Sequence, residues 1–499
     1  MGESHSPLFE PTFNRTIKVE SRDERLTSDG GAVWLREADH RLGLVESLVD
    51  GMVDRRDPKK IRYTLSELLR ERLYCFALGY AAADDVDRLA HDPALRSCVW
   101  DRRGEEVIEE RLASQPTQSR LVDQIGESSR NRQALRGALS DWTNRFVRAT
   151  GGDRRVRYAT IDVDSFPVQV HGQQEGGAYN GHYQEKVYHP LVASFCIEGE
   201  YDRDRLGARL GNGFLHAILR DGACHTAQGS VRFLQNVITQ ARSMAWHFDL
   251  RLDAGFTSGK ILDYLTDEKV RFIGRLTGNP RLDALAEPYL KRPVGRPPRE
   301  GYFTLVELGQ HRADSWRHAQ RLILVIVDQP DPHTGQLPLF PRYFFLITNY
   351  PQEQFSAEAA VERYRQRGTF EDRLGEFNQA VGPHLSSPDF AANEVNLLLA
   401  LLAFNLASFL RLELEDECGG GWSLTRFRDV VLKTGGRFVK RSRRLVLYVA
   451  GAVRKFWERL RRRVERWKFP KSLPSPTGPQ HRDWMPPPPH AHLTLVHRE

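Results

Sequence analysis

A mixed α/β fold is predicted for this chain by three observations. Short β-favouring runs alternate with helical periodicity between residues 157 and 276. Two of those runs end at acidic residues, Asp164 and Asp253. A long stretch of helical periodicity precedes them, from Leu26 to about Leu139.

The 499 residues allow two to four domains, and 40% hydrophobic content with nine tryptophans is ample for a packed interior. Global disorder is excluded on the same grounds. Five scattered cysteines without any CxxC pair argue for a reducing compartment and against structural zinc. The start, MGESHSPLFEPTF, has no basic region followed by an apolar run, so no signal peptide is expected. The most apolar segment, Leu397 to Leu410, is 14 residues long and contains Asn405 and Ser408. That is short for a bilayer span, so it is expected as a buried helix, with no membrane partner.

Taken in order, residues 1–150 read as an irregular start and then a helical domain, a scaffold or a unit for DNA binding or dimerisation. Thr64 or Ser66 caps its second long helix, and LASQPTQSRL (112–121) starts another, with Pro116 in the first turn. Residues 151–277 form the first part of the α/β core. Its strands are expected at 157–166, 186–197, 204–213, 248–256 and 270–276, with helices at 225–246 and 259–268. Asp162 and Asp164 are two apart on the first strand and so share a face. Burying an unpaired carboxylate costs several kcal/mol, roughly, or protonates it, so this face wants solvent or a cation.

Residues 278–342 break the rhythm and are expected as a β-rich insertion. KRPVGRPPREG holds a GRP core that reads either as a basic loop or as a minor-groove hook bearing Arg296. The core resumes over 343–412 with the strand YFFLITNY and a single amphipathic helix spanning residues 357–381. Phe370, Leu374, Phe377 and Val381 make that helix's apolar stripe, and Tyr364, Arg367, Glu371 and Asn378 a polar one beside it. Between Lys433 and Lys471 stand 15 Lys/Arg against two acids, a local +13 in a chain of net +7, which leaves −6 elsewhere. Aromatics interleave this basic run, which suits a nucleic-acid backbone. The region 413–471 is expected to be helical, with Lys440 and Arg441 among its DNA contacts. The Pro-rich tail, 472–499, is expected to be disordered.

The motifs LTSDGG (26–31), LGYAAADDVDRLAHDPAL (78–95), LASQPTQSRL (112–121), DVDSFPVQVHGQQEGGAYN (162–180), RLDAGF (251–256), YRQRGTFEDR (364–373) and NEVNLLLALLAFNL (393–406) occur in this order. On these the chain resembles the DDE transposases of bacterial insertion sequences, of the insertion-sequence 1380 type. The resemblance implies an RNase-H-like mixed-sheet core with an N-terminal helical domain, a β insertion and a basic C-terminal region. It implies metal-dependent cleavage at element ends and strand transfer into target DNA. Asp164, Asp253 and Glu371, 89 and 118 residues apart, would be the catalytic carboxylates and the ligands of Mg²⁺ or Mn²⁺, two ions in all. Oxygen-only ligation suits those cations, and a pair of them about 4 Å apart activates an attacking oxygen and stabilises a leaving one. Asp162 stays open as a second candidate for the first ligand.

Tyr364 and Arg367 would contact terminal phosphates, and a dimer on DNA in the bacterial cytoplasm, at the nucleoid, is implied. The sequence departs from the pattern at Asn378 and Gly375, where basic residues are usual, and at Phe166, where a small residue is. Trp316 reads as a core tryptophan or as a stacking platform for a flipped base. A nuclease without strand transfer, and a DNA-binding descendant without catalysis, stay open as alternatives.

Overall fold

The computed structural model describes residues 8–21, 23–102, 104–151, 155–197, 211–292, 301–331, 333–418, 421–442 and 444–467. Arg296 and the Pro-rich tail therefore lie outside the described residues.

After a two-residue strand β1 (Leu26–Thr27), the first third is helical: α1 (Ala32–Leu42), α2 (Leu44–Asp50), α3 (Leu65–Ala77), α4 (Asp85–Leu89), α5 (Pro93–Val99), α6 (Gln115–Glu127) and α7 (Ser129–Gly151). Thr64 is the cap of α3, in a reciprocal box with Glu67 that satisfies two otherwise orphaned N–H groups. Pro116 lies in the first turn of α6, where a missing N–H costs nothing.

The core strands are β2 (Val156–Ser165), β3 (Val168–Gln169), β4 (Ala178–Asn180), β5 (Glu185–Tyr188), β6 (Leu191–Ile197), β7 (Gly211–Ile218), β8 (Ala245–Leu252), β9 (Arg271–Leu276), β10 (Tyr302–His311), β11 (Gln320–Asp328) and β12 (Arg342–Thr348). Eight of them make one sheet in the order β10-β11-β12-β9-β8-β2-β6-β7. β2, β8 and β9 run parallel and the remaining pairs antiparallel. The segment β7-β6-β2-β8-β9 is an RNase-H-like sheet, with helices α8 (Ser230–Met244) and α9 (Gly259–Asp267) in its crossovers.

The expected insertion strands do not form a layer apart: β10 and β11 continue the main sheet through β12, which pairs with β9. The run at 186–197 is two strands, because His189–Pro190 interrupts it and Pro cannot donate to a ladder. The strand expected at 204–213 is described only from Gly211, and it continues to Ile218.

Three helices follow: α10 (Ala357–Arg365), α11 (Gly368–Ala380) and α12 (Phe390–Leu412). The single helix expected over 357–381 is broken at Gln366–Arg367 by three-residue turns, Arg367 N–H to Tyr364 O at 2.9 Å and Thr369 N–H to Gln366 O at 3.2 Å. Gly368, a weak helix former, stands at the break. The apolar stripe of α11 is buried as expected. α12 is long and apolar enough to cross a membrane by length and composition, but 83% of its apolar window is buried inside the fold. It packs on α3, α6, α7 and β7 as the central core helix.

The basic region departs from expectation. Residues 436–449, expected to be helical, are a hairpin of β13 (Gly436–Arg441) and β14 (Arg444–Val449), which closes a three-stranded sheet on β1. Its valines and the alternation around Phe438 and Leu447 suit a pleated strand. Ser442 turns the hairpin with φ +41°. Among the described residues of the strongly basic run, α13 (Arg454–Val464) is the α-helix that forms as expected.

Candidate active site

β2 and β8 are parallel neighbours in the register Asp162↔Arg251 and Val163↔Leu252. The next step along the two chains brings Asp164 and Asp253 side by side at the carboxyl edge, where α/β sheets expose ligand sites. On this face Thr160, Asp162 and Asp164 alternate with the buried Ala159, Ile161 and Val163 of the other. The α10–α11 segment lies across the polar face and meets it in layers.

In the deepest layer Arg363 donates to both oxygens of Asp249, at 3.0 and 2.9 Å, and to Tyr158 Oη at 2.9 Å. In the middle layer Arg251 grips Asp162 with two bonds of 2.7 Å. At the edge Arg367 donates through Nη2 to Asp164 Oδ2 and through Nη1 to Glu371 Oε1, each at 2.5 Å. Asp164, on a strand, and Glu371, 207 positions later on a helix, are thus joined by one guanidinium.

Asp162, Asp164, Asp249, Asp253 and Glu371 face Arg251, Arg363 and Arg367 here, and the buried Arg373 also lies in the field of Asp162. The surplus of negative charge gathers at the open edge. The Asp164 side chain is 15% exposed, and Glu371, at 63%, looks to solvent. Burial pushes the Asp164 pKa up to about 6, against the pull of Arg367 and the Ser165 N–H, and the fields of Asp253 and Glu371 add to the rise. Tyr364 joins the same edge. Burial raises its hydroxyl to about 12, with Asp253 and Glu371 adding to the shift and Arg367 opposing it. For Arg367 burial pulls downward, but Asp164 and Asp253 outweigh it, so its charge is held more firmly than usual. Tyr183, from the turn after β4, feels both Asp164 and Asp253, and burial raises its pKa first.

Of the residues singled out in the sequence, Asp164, Asp253, Tyr364, Arg367 and Glu371 come to one edge. Asp162 does not reach it, being buried and doubly bonded to Arg251. Phe166 packs edge-on against Phe377 at 6.1 Å, inside the core beneath the edge. Asn378 and Gly375 are exposed on α11. Trp316 is buried, and a Cβ on Gly259 would come within 2.4 Å of its ring, so it is a core residue. Lys440 and Arg441 stand on the separate β1–β13–β14 sheet. Lys440 meets Glu109 at 3.3 Å, and Arg441 lies 5.5 Å from the Tyr448 ring centre.

Sequence reasoning missed Arg251, Asp249 and Arg363. The signal was present: Asp249, Arg251 and Asp253 share a strand face, and Arg363 precedes Arg367 by four residues.

Oxygen donors alone suit Mg²⁺ or Mn²⁺, and the donor types at this edge fit. Their spacing is looser, since among the described residues no three candidate ligands are close enough to hold an ion. Arg367 occupies the space between two of them.

A family model described as transposase DDE domain group 1 matches residues 9–466. The chain belongs to this family. The match takes in the helical first third, the sheet and the basic hairpin together, and family members generally use divalent metal ions. No curated protein matches the chain. Among solved structures, a piggyBac transposase synaptic complex with hairpin DNA is similar at 13% identity, covering 83% of each chain with a TM-score of 0.41.

Proposed function

We propose that this member of the transposase family cleaves DNA at the ends of its element and joins those ends to a target. The observation that carries this reading is the convergence of Asp164, Asp253 and Glu371 at one sheet edge, two of them tied by Arg367. Asp164, Asp253 and Glu371 would hold Mg²⁺ or Mn²⁺, which when bound activates the attacking oxygen and stabilises the leaving one. Water and then a 3′-hydroxyl attack the phosphodiester in line. Arg367, already pre-charged and buried at the edge, binds the scissile-strand phosphate, and the Tyr364 hydroxyl donates beside it.

Lys440, Arg441 and the rest of the basic hairpin and α13 bind flanking duplex. Arg296 would add a minor-groove contact. A dimer brings two ends together, in the bacterial cytoplasm at the nucleoid. The kinship to the insertion-sequence 1380 type, and the division at residues 150, 277, 342, 412 and 471, belong to the same proposal.

The test is cleavage of a labelled duplex bearing the element's terminal repeat, with Mg²⁺ or Mn²⁺, beside Asp253→Ala and a Ca²⁺ control. Metal-dependent nicking at the repeat boundary, lost in Asp253→Ala, is expected. One observation favours a second reading: no three ligands stand at coordinating distance among the described residues. Specific binding with no cut under either metal would make this a DNA-binding relative without catalysis.

A further inference from the structure

The helical first third opens a cleft of about 610 Å³ between the segment ahead of α3 and the start of α6. Residues 54–62 carry five cations and two acids, although the chain outside its basic end is net negative. Both acids are already engaged. Asp54 is held by Arg56 at 2.6 Å, and Asp57 accepts the Lys59 N–H at 3.0 Å in a short helical turn. Arg62 and Arg111 are left on the rim, both exposed, beside Lys60, whose side chain is 84% exposed and pairs with Asp57 at 3.9 Å. Neither Arg62 nor Arg111 forms an ion pair among the described residues.

The wall behind them is braced by ring contacts. Arg62 lies 5.2 Å from the centre of the Tyr63 ring, which is itself stacked on Trp100 at 5.6 Å and 18°. The Tyr63 hydroxyl donates to the Arg111 carbonyl at 3.3 Å and so ties the two sides of the cleft. On the other wall, Ser114 and Thr117 place their hydroxyls 3.2 Å apart. The first-turn N–H groups of α6 are taken, Gln115 by Asp87 at 3.1 Å and Thr117 by the Ser114 carbonyl at 2.8 Å. Side chains, and not a helix end, therefore supply the attraction.

Cations spread along an exposed rim, with hydroxyls and a braced aromatic between them, match an extended polyanion better than a single buried anion. We propose that this cleft grips the phosphate backbone of duplex DNA, as a contact separate from the carboxylate edge and from the basic hairpin. The proposal rests on the DNA-joining reading above and adds a surface to it.

The test is fluorescence anisotropy of the full chain with a labelled duplex bearing the terminal repeat, titrated at several salt concentrations. For Arg62→Ala/Arg111→Ala, the slope of log affinity against log salt should shrink by about 1.8, the loss of two phosphate contacts. Affinity at fixed moderate salt should fall on the order of 10- to 100-fold. The melting temperature should not move, because both side chains are exposed, and Arg62→Lys/Arg111→Lys should restore most of the binding. An unchanged slope and affinity, with wild type binding normally, overturns the cleft and leaves the DNA reading intact. A wild-type chain that binds no duplex at any salt overturns both.

Discussion

Asp162 and Asp164 differ by two positions and by almost everything else. Asp162 forms a buried bidentate pair with Arg251, so Asp162→Ala strands a buried guanidinium. Urea unfolding of that variant should show a loss of about 3–5 kcal/mol. Asp164 is the reverse case. Its pKa, raised by burial to about 6 from an ordinary 3.8, means that the metal-free folded state keeps a proton the unfolded chain has released. Stability without metal should therefore fall as pH rises from about 4 to about 6. Asp164→Asn should remove that component of the pH profile in urea titrations while abolishing metal-dependent cleavage. A chain whose Asp164→Asn variant still cuts DNA would exclude Asp164 from the chemistry. The pairing of Asp162 was not legible in the sequence, since alternation puts both aspartates on one face. Only the register with β8 sets Arg251 beside the first of them.

Among the elements, α3 is buried nearly all round, and it carries Glu71 inside. Burial pushes the Glu71 carboxyl up to about 8, against the Ala113 N–H, Gln118 and Arg72, with Asp87 adding to the rise. The folded state again holds the proton, so stability should decline between about pH 4.5 and 8, by at most about 5 kcal/mol. Glu71→Gln should flatten that part of the profile and raise the melting temperature at pH 8. A parallel profile in the variant would show that Glu71 ionises freely. The α10–α11 break is an effect at the same scale. Periodicity alone asked for one helix. The turn at Gln366–Arg367 instead re-aims the second half, so that Arg367 and Glu371 meet the strand edge where Asp164 ends.

At the scale of the whole molecule, residues 26–31 close on residues 432–437. Gly30 and Gly31 donate to the carbonyls of Thr434 and Leu432 at 2.9 Å each, and β1 pairs with β13. A Cβ on Gly31 would come within 2.4 Å of the Leu432 Cα and the Val431 carbonyl, which are backbone and cannot swing aside. Gly31→Ala should destabilise the protein by about 1–3 kcal/mol and speed limited proteolysis between 413 and 435. Its salt-dependent DNA affinity should drop in step, because the basic hairpin is held through this seam. Retained affinity with faster proteolysis would show that the hairpin does not carry the contact.

What the sequence determined by itself is the kind of structure and the family to which it belongs. Strand and helix periods, the buried stripe of α11, the largely apolar α12, the carboxylates at strand ends and the concentration of charge near the C-terminus are all local properties, written in residue order. Tertiary structure alone decided three things. It extended the main sheet with β10 and β11, because edge strands pair wherever an unpaired edge is offered. It turned part of the basic region into a hairpin, because β1 supplied a partner more than 400 residues away. It stacked Arg363, Arg251 and Arg367 against their carboxylates in layers, because each buried charge needs a counter-charge that only packing brings near.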